Sequence, residues 1–245
     1  MADPGPDLEQ IVVVGASLAG LRAIEALRRA DYGGSIVAIG REVHAPYDRP
    51  PLSKKILAGD WEPDRAMLKP ADKLDELEVD WRFGVEATGL DLEAKVVATS
   101  AGPVPYDGLV IATGARVRHL PDTEGVPGVH ALRTLDDCVA LRADLDTTTG
   151  PVVVIGAGFI GGEVAATVRE TGRDVTIIEA APVPRSAIVE CMKGRPGHAQ
   201  RLGDPLTDEV GDGLASQRSA IPPASALGTG SSLPHRWSCS AAVRW

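Results

Sequence analysis

The sequence predicts an α/β fold with two βαβ units on parallel sheets, and three observations predict it. A short β-branched run, Ile11–Val14, ends in Gly15, and apolar residues at helical spacing follow (Leu18, Leu21, Ile24, Leu27). The same order returns at Pro151–Ile155, with GAGFIGGEVA behind it from Gly156 to Ala165. From about Arg185 onward neither a period of two nor a period of three to four persists. Short continuous apolar runs that alternate with amphipathic helices are the mark of buried parallel strands.

In the first unit the helix is followed by Gly33-Gly34 and a second apolar run, Ser35–Ile39. From Val79 to Ile111 the pattern is one of strands and turns, punctuated by Gly84, Gly89, Gly102 and Gly108. Leu132–Leu145 has helical spacing and reads as a connection between the units. In the second unit Val164 and Val168 share a helix face, Gly172 stops that helix, and Val175–Ile178 is the next strand, ahead of Glu179. The βαβ plan thus occurs twice, as an internal duplication. The final stretch is rich in Ser, Pro, Gly and Ala, and carries Pro222-Pro223 and GTGSS. It cannot bury enough apolar surface to offset its ordering entropy and is expected to be poorly structured.

Composition narrows the functional classes. The chain has 245 residues, enough for one large domain or two small ones. The 34 acidic residues exceed the 25 basic ones and no basic cluster stands out, which disfavours nucleic acid. Cys138, Cys191 and Cys239 lie far apart, so a disulfide framework and a CxxC site are excluded. His44, His119, His130, His198 and His235 are scattered without metal spacing, so no metal site is expected. No apolar run approaches the roughly 18 residues that span a bilayer. MADPGPDLEQ has neither a basic nor an apolar signal-peptide region. These features predict a cytoplasmic protein with no membrane partner.

Two glycine loops carry the chemistry. GASLAG (Gly15 to Gly20) sits between a strand and a helix, where Gly15 permits the turn and Gly20 allows close packing. The helix N-terminus would then aim free N–H groups at a pyrophosphate. Ser17 holds the middle glycine position of GxGxxG, so a glycine turn without ligand stays open here. The second loop is complete: Gly156, Gly158 and Gly161, with Ile160 between, followed about 20 residues later by Glu179 at a strand end. That acid suits a ribose 2′-OH, and no arginine follows at Ala180 or Ala181 to take a 2′-phosphate, so NAD is favoured over NADP.

With both loops in place, YDRPPLSK (Tyr47–Lys54), PYDGLVIATGAR (Pro105–Arg116), LRTLDD (Leu132–Asp137) and GAGFIGGEVA, in this order, carry a resemblance. The chain resembles the FAD-dependent NADH:ferredoxin reductases, two-dinucleotide-binding flavoproteins of the pyridine nucleotide-disulfide oxidoreductase superfamily, over about Gln10 to Pro184. The resemblance implies two Rossmann-like units of the three-layer ββα type, both incomplete, with a disordered C-terminal tail. The implied boundaries are an FAD-binding domain at 8–118, a linker helix at 119–150, the first βαβ of an NAD-binding domain at 151–184 and an aberrant or disordered tail at 185–245. It implies FAD pyrophosphate at Gly15, Ser17, Ala19 and Gly20. Arg41 occupies the place of the family's ribose-binding acid, with Glu42 beside it. Arg49, Ala87, Thr113, Gly114 and Arg133 would be further cofactor contacts. Lys54 would lie against the isoalloxazine and Glu163 near the nicotinamide, as the catalytic pair. The plain alternatives are a solvated surface lysine and a glutamate that suits the dipole of its helix. The implied reaction passes hydride from NADH to FAD, and single electrons then go to a small iron–sulfur ferredoxin. No CxxxxC follows the first unit, so likeness to the disulfide reductases stops at the fold.

Members of that family continue beyond the NAD-side unit with further strands and a C-terminal domain. The loss of pattern at about Pro184 is read as a frameshifted tail, with a natural disordered tail as the alternative. Two rival functions accompany the reductase reading. One is an inactive remnant that binds at most an adenine dinucleotide. The other is an FAD-dependent monooxygenase.

Overall fold

The computed structural model describes residues 8–179, 199–201 and 242–244. They divide into two compact units, the first within Met1–Pro51 and Trp61–Arg116, the second within Leu52–Asp60 and Val117–Trp245.

The first unit is built on β1 (Gln10–Val14), α1 (Leu18–Arg29) and β2 (Ser35–Gly40). A short helix α2 (Ala71–Asp75) precedes β3 (Val79–Phe83). Then come β4 (Ala87–Asp91), β5 (Val96–Thr99), β6 (Val104–Pro105) and β7 (Gly108–Ile111). Strands β3-β2-β1-β7 form one parallel sheet, with Val12 opposite Val37 on one side and Leu109 on the other. Strands β4-β5-β6 form a separate antiparallel sheet.

Side-chain alternation assigns the layers. Ile11, Val13, Ile36 and Ala38 point to one face of the parallel sheet and pack with Ile24 of α1. Val12, Val14, Val37 and Ile39 point to the other face and pack with Val97 and Val104 of the antiparallel sheet. Sheet, sheet and helix make the three-layer ββα plan. Because both faces of β1 and β2 are covered, these strands read as unbroken apolar runs.

In the second unit β8 (Val129–Ala131) leads into α3 (Leu135–Thr147), followed by β9 (Val152–Ile155), α4 (Phe159–Glu170) and β10 (Val175–Glu179). Two short strands complete the sheet, β11 (Ala199–Arg201) and β12 (Ala242–Arg244). The order is β11-β10-β9-β12-β8, with β12 antiparallel to both neighbours. Thr134 opens α3 with a capping box: its hydroxyl accepts from Asp137 N at 3.1 Å, and Asp137 Oδ2 accepts from Thr134 N at 2.7 Å.

Three features depart from the sequence reading. The helix taken as a connection bears core: Leu135, Cys138, Leu141 and Leu145 are buried along one face. Residues 52–60, assigned by sequence to the first domain, cluster with the second unit. Leu52, Ile56 and Leu57 are buried there, and the Cys138 thiol donates to Leu52 O at 3.0 Å. Strands β11 and β12 lie inside the stretch expected to be poorly structured. Each is held by backbone pairing, β11 to β10 alone and β12 to β9 and β8, which leaves no side-chain period in a three-residue piece. The remainder of that stretch, including the proposed frameshift junction, Cys191, Cys239, His198 and His235, lies outside the described residues. Among the described residues no helix is long and apolar enough to cross a membrane.

Two shifted groups bear on the folded chain. Burial pushes the Cys138 thiol up to about 12, so it stays a protonated, unreactive donor. Glu25, on α1, is nearly fully buried and is held below its ordinary value of 4.5 by hydrogen bonds from Lys69 and then Arg22, at 2.8 and 2.7 Å. A carboxylate with a lowered folded value adds stability that is complete above the ordinary value and is lost as pH falls through the lowered one. Glu25→Gln should therefore cost about 2 kcal/mol at neutral pH. The gap between wild type and variant should close as pH drops below 4.5. Thermal unfolding of the two proteins across that range measures it.

Candidate functional site

Each unit has the same turn at the same place. Gly15 N donates to Ile39 O at 2.8 Å, and Gly156 N donates to Ile178 O at 2.8 Å. Gly15 has φ +121° and Gly156 has φ +103°, a region open to glycine. A Cβ on Gly20 would stand 1.9 Å from Gly15 O, and one on Gly161 would stand 1.9 Å from Gly156 O. The first turn of each helix therefore rests directly on its own turn, next to a valine of the preceding strand. That valine is Val13 in one unit and Val154 in the other. These contacts fix the helix N-terminus, with its unpaired N–H groups, over the end of the strand.

The middle positions differ. Gly158 is the N-cap of α4 in extended backbone, and a Cβ there would meet nothing within 4 Å. Such open space is what close approach of a ligand to the backbone requires. Ser17 is the N-cap of α1 and its hydroxyl makes no capping bond. The hydroxyl is thus not spent on its own helix, and Ala19 beside it is exposed. Thr113 and Gly114 follow β7 after Ala112, and Thr113 N would lie 3.0 Å from a Cβ on Gly15, so this segment borders the first loop. In the second unit Ile160 is half-buried in the first turn of α4. Glu179 closes β10 and its Oε2 accepts from Ala157 N at 2.7 Å, which brings the acid to the glycine loop as its spacing required.

The end of β2 beside the first loop is crowded with charge. Gly40, the last residue of β2, packs on Ala16 of the loop, and Arg41 follows it. Glu42 is engaged: Arg49 Nη2 donates to its Oε1 at 2.5 Å and the Tyr47 hydroxyl donates to its Oε2. Arg41 is half-exposed and stands 3.9 Å from Glu86, whose carboxylate also takes Arg116 at 2.5 Å. Ala87 begins β4 beside Glu86. The residue that follows β2 is thus a cation facing Glu86, and the neighbouring acid is already hydrogen-bonded.

The sharpest cluster lies in the second unit. Lys54 Nζ is 2.7 Å from Glu163 Oε2, so the two residues proposed as a catalytic pair are joined. Ser53 Oγ donates to that same oxygen at 2.5 Å. Ser53 O accepts from Thr167 Oγ1 at 2.9 Å. Glu163 and Thr167 are one turn apart on α4, so residues 52–54 are clamped to the helix that opens from the second glycine loop. Ser53 and Thr167 were missed by sequence reasoning. The signal was the i, i+4 spacing of two hydrogen-bonding residues on the helix behind GAGFIGG, facing a serine next to the lysine. Arg133 is half-buried just ahead of α3, where its N donates to Asp137 Oδ2 at 2.9 Å. No group of three or more His, Cys, Asp or Glu among the described residues could hold a metal ion.

The sequence profile of the pyridine nucleotide-disulphide oxidoreductase family matches residues 9–194, ten residues past the point where the pattern was read to stop. Rhodocoxin reductase of Rhodococcus erythropolis is 40% identical over 187 residues, covering 75% of this chain and 44% of its own length. The ferredoxin–NAD(+) reductase subunit of the benzene 1,2-dioxygenase system of Pseudomonas putida is 42% identical over 174 residues, covering 69% and 42%. Among solved structures, the covalent putidaredoxin reductase–putidaredoxin complex aligns with a TM-score of 0.66 at 33% identity, over 73% of this chain and 44% of that one. A ferredoxin reductase from Rhodopseudomonas palustris aligns with a TM-score of 0.71 at 33% identity, over 79% and 50%. The chain spans less than half the length of the two curated relatives.

The two glycines of the second loop should separate on substitution. Gly161→Ala drives a methyl onto a backbone oxygen and should cost about 3 kcal/mol of stability. Gly158→Ala should leave the melting temperature unchanged and weaken NADH binding about tenfold, about 1.4 kcal/mol. Calorimetry and an NADH titration on both variants give the two readouts.

Proposed function

The chain belongs to the pyridine nucleotide-disulphide oxidoreductase family, and on that premise we propose that its two loops hold FAD and NAD(H) and serve an NADH-dependent ferredoxin reductase. The observation that carries the reading is the repeated turn, with the Gly15 and Gly156 amides bound alike at 2.8 Å and the same 1.9 Å approach at Gly20 and Gly161. Ferredoxin–NAD(+) reductases of this family work with FAD and NAD(H). The acceptor we propose is a small iron–sulfur ferredoxin, in line with the names of the relatives.

The fit of each loop to its nucleotide rests on this chain's own residues. In the second, Gly158 leaves room for a pyrophosphate, the α4 N-terminus supplies N–H donors, and Glu179 is the acceptor for ribose hydroxyls. In the first, Gly15, Ser17, Ala19 and Gly20 form the corresponding cradle, and Thr113 and Gly114 bring backbone to its edge. Lys54 places a cation, and Glu163 fixes its ammonium at 2.7 Å. A cation held there favours negative charge on a neighbouring ring system. When bound, FAD supplies a two-electron acceptor that releases electrons singly, and the protein's part is positioning and electrostatics.

Arg41 modifies this site. Where an acid would accept from ribose hydroxyls, it presents only donors, and Glu42 is committed to Arg49 and Tyr47. FAD should bind the full chain with the flavin band near about 450 nm, and NADH should bleach that band. Arg41→Asp should tighten FAD about tenfold, about 1.4 kcal/mol. Equilibrium dialysis of FAD against wild type and variant, read at the flavin band, tests both. A colourless protein that still binds NADH would support the nucleotide-binding remnant instead.

A further inference from the structure

We propose that Ser53 is a positioning residue, which locks Glu163 so that Lys54 is presented in one place before any nucleotide arrives. Ser53 is 2% exposed, and both of its polar side-chain and main-chain groups in this contact are used on α4. Its hydroxyl donates to Glu163 Oε2 at 2.5 Å, and its carbonyl accepts from Thr167 Oγ1 at 2.9 Å. Thr167 is itself buried, so the second bond is shielded from water. Two bonds to residues one helical turn apart fix both the distance and the rotation of residues 53–54 against α4. A single bond would leave the segment free to pivot.

The shared oxygen is the telling feature. Glu163 Oε2 accepts from Ser53 Oγ at 2.5 Å and faces Lys54 Nζ at 2.7 Å. An exposed ion pair between long side chains gains little, because ordering both costs entropy. Lys54 is 44% exposed and Glu163 31%, so the pair alone would be loosely held. A buried hydroxyl bonded to the same oxygen removes one of the two freedoms, since the carboxylate cannot rotate without breaking a charge-assisted bond. Ser53 thus acts on Lys54 through Glu163 and touches no nucleotide itself. The role of Lys54 in this picture rests on the proposed function. The positioning of its ammonium does not, and is measurable without cofactor.

Lys55 is the internal control. It lies on the same segment and pairs with Asp60 at 2.8 Å, away from the clamp. Acetylation rates of individual lysines in the full chain, read by mass spectrometry with acetic anhydride as the probe, give the test. Ser53→Ala should raise the Lys54 rate about threefold and leave Lys55 unchanged. Glu163→Gln should raise Lys54 by at least as much, and adding Ser53→Ala to it should do nothing further. Ser53→Thr, which keeps the hydroxyl, should return the wild-type rate. Thr167→Val, a near-isosteric change that removes the donor to Ser53 O, should move Lys54 in the same direction as Ser53→Ala. An unchanged Lys54 rate in Ser53→Ala, or Lys54 and Lys55 rising together, overturns the proposal. Because the assay is run on the nucleotide-free protein, that failure is distinct from a failure to bind FAD or NADH.

Discussion

The structure depends on one close approach made twice: the first turn of a helix seated on the glycine turn that ends the preceding strand. The gap is so small that any side chain beyond hydrogen at Gly20 or Gly161 would collide with a backbone oxygen at 1.9 Å. The approach does two things at once. It lets the helix cover the strand, so Ile24 packs over Ile11 and Val13 in one unit, while Val164 and Val168 are buried in the other. It also leaves the helix N-terminus open above the strand end, where an anion is favoured by the amides and the dipole. At Gly20 and Gly161 core packing and the placing of the open helix end are therefore one constraint.

Around that repeated turn the two units have diverged in charge. The second keeps an acid, Glu179, within 2.7 Å of the loop amide at Ala157. The first places Arg41 next to the loop and ties Glu42 to Arg49 and Tyr47. Glu86, between Arg41 and Arg116, offsets only part of the positive charge. The same backbone thus presents an acceptor in one unit and mainly donors in the other. The charge around the two turns thus differs without any change in topology.

The parts of the fold legible in the sequence were those set by local pattern. Ile11–Val14, Ser35–Ile39, Pro151–Ile155 and Val175–Ile178 are strands because apolar β-branched runs bounded by glycine leave few other options. The loops were legible because their glycines answer to sterics between neighbours in the chain. Lys54 and Glu163 were named through the resemblance, and the structure puts them 2.7 Å apart. Ser53 stayed hidden because its partners are more than a hundred residues away and one buried serine leaves no periodicity. The allegiance of residues 52–60 was equally silent, since Leu52, Ile56 and Leu57 would suit an apolar surface in either unit. Strand β12 pairs through its backbone with β9 and β8, and backbone pairing has no letter in the sequence.

That allegiance bears on how the chain acquires its structure during synthesis. Leu52, Ile56 and Leu57 leave the ribosome long before α3 and α4, the helices of the unit in which they are buried. Roughly another hundred residues must emerge before those helices exist, and at about 5–20 residues per second that wait lasts about 5–20 seconds. The second unit cannot close as a purely C-terminal fragment, because part of its interior was made early. Cutting the gene at residue 117 would separate a core from three of its own residues.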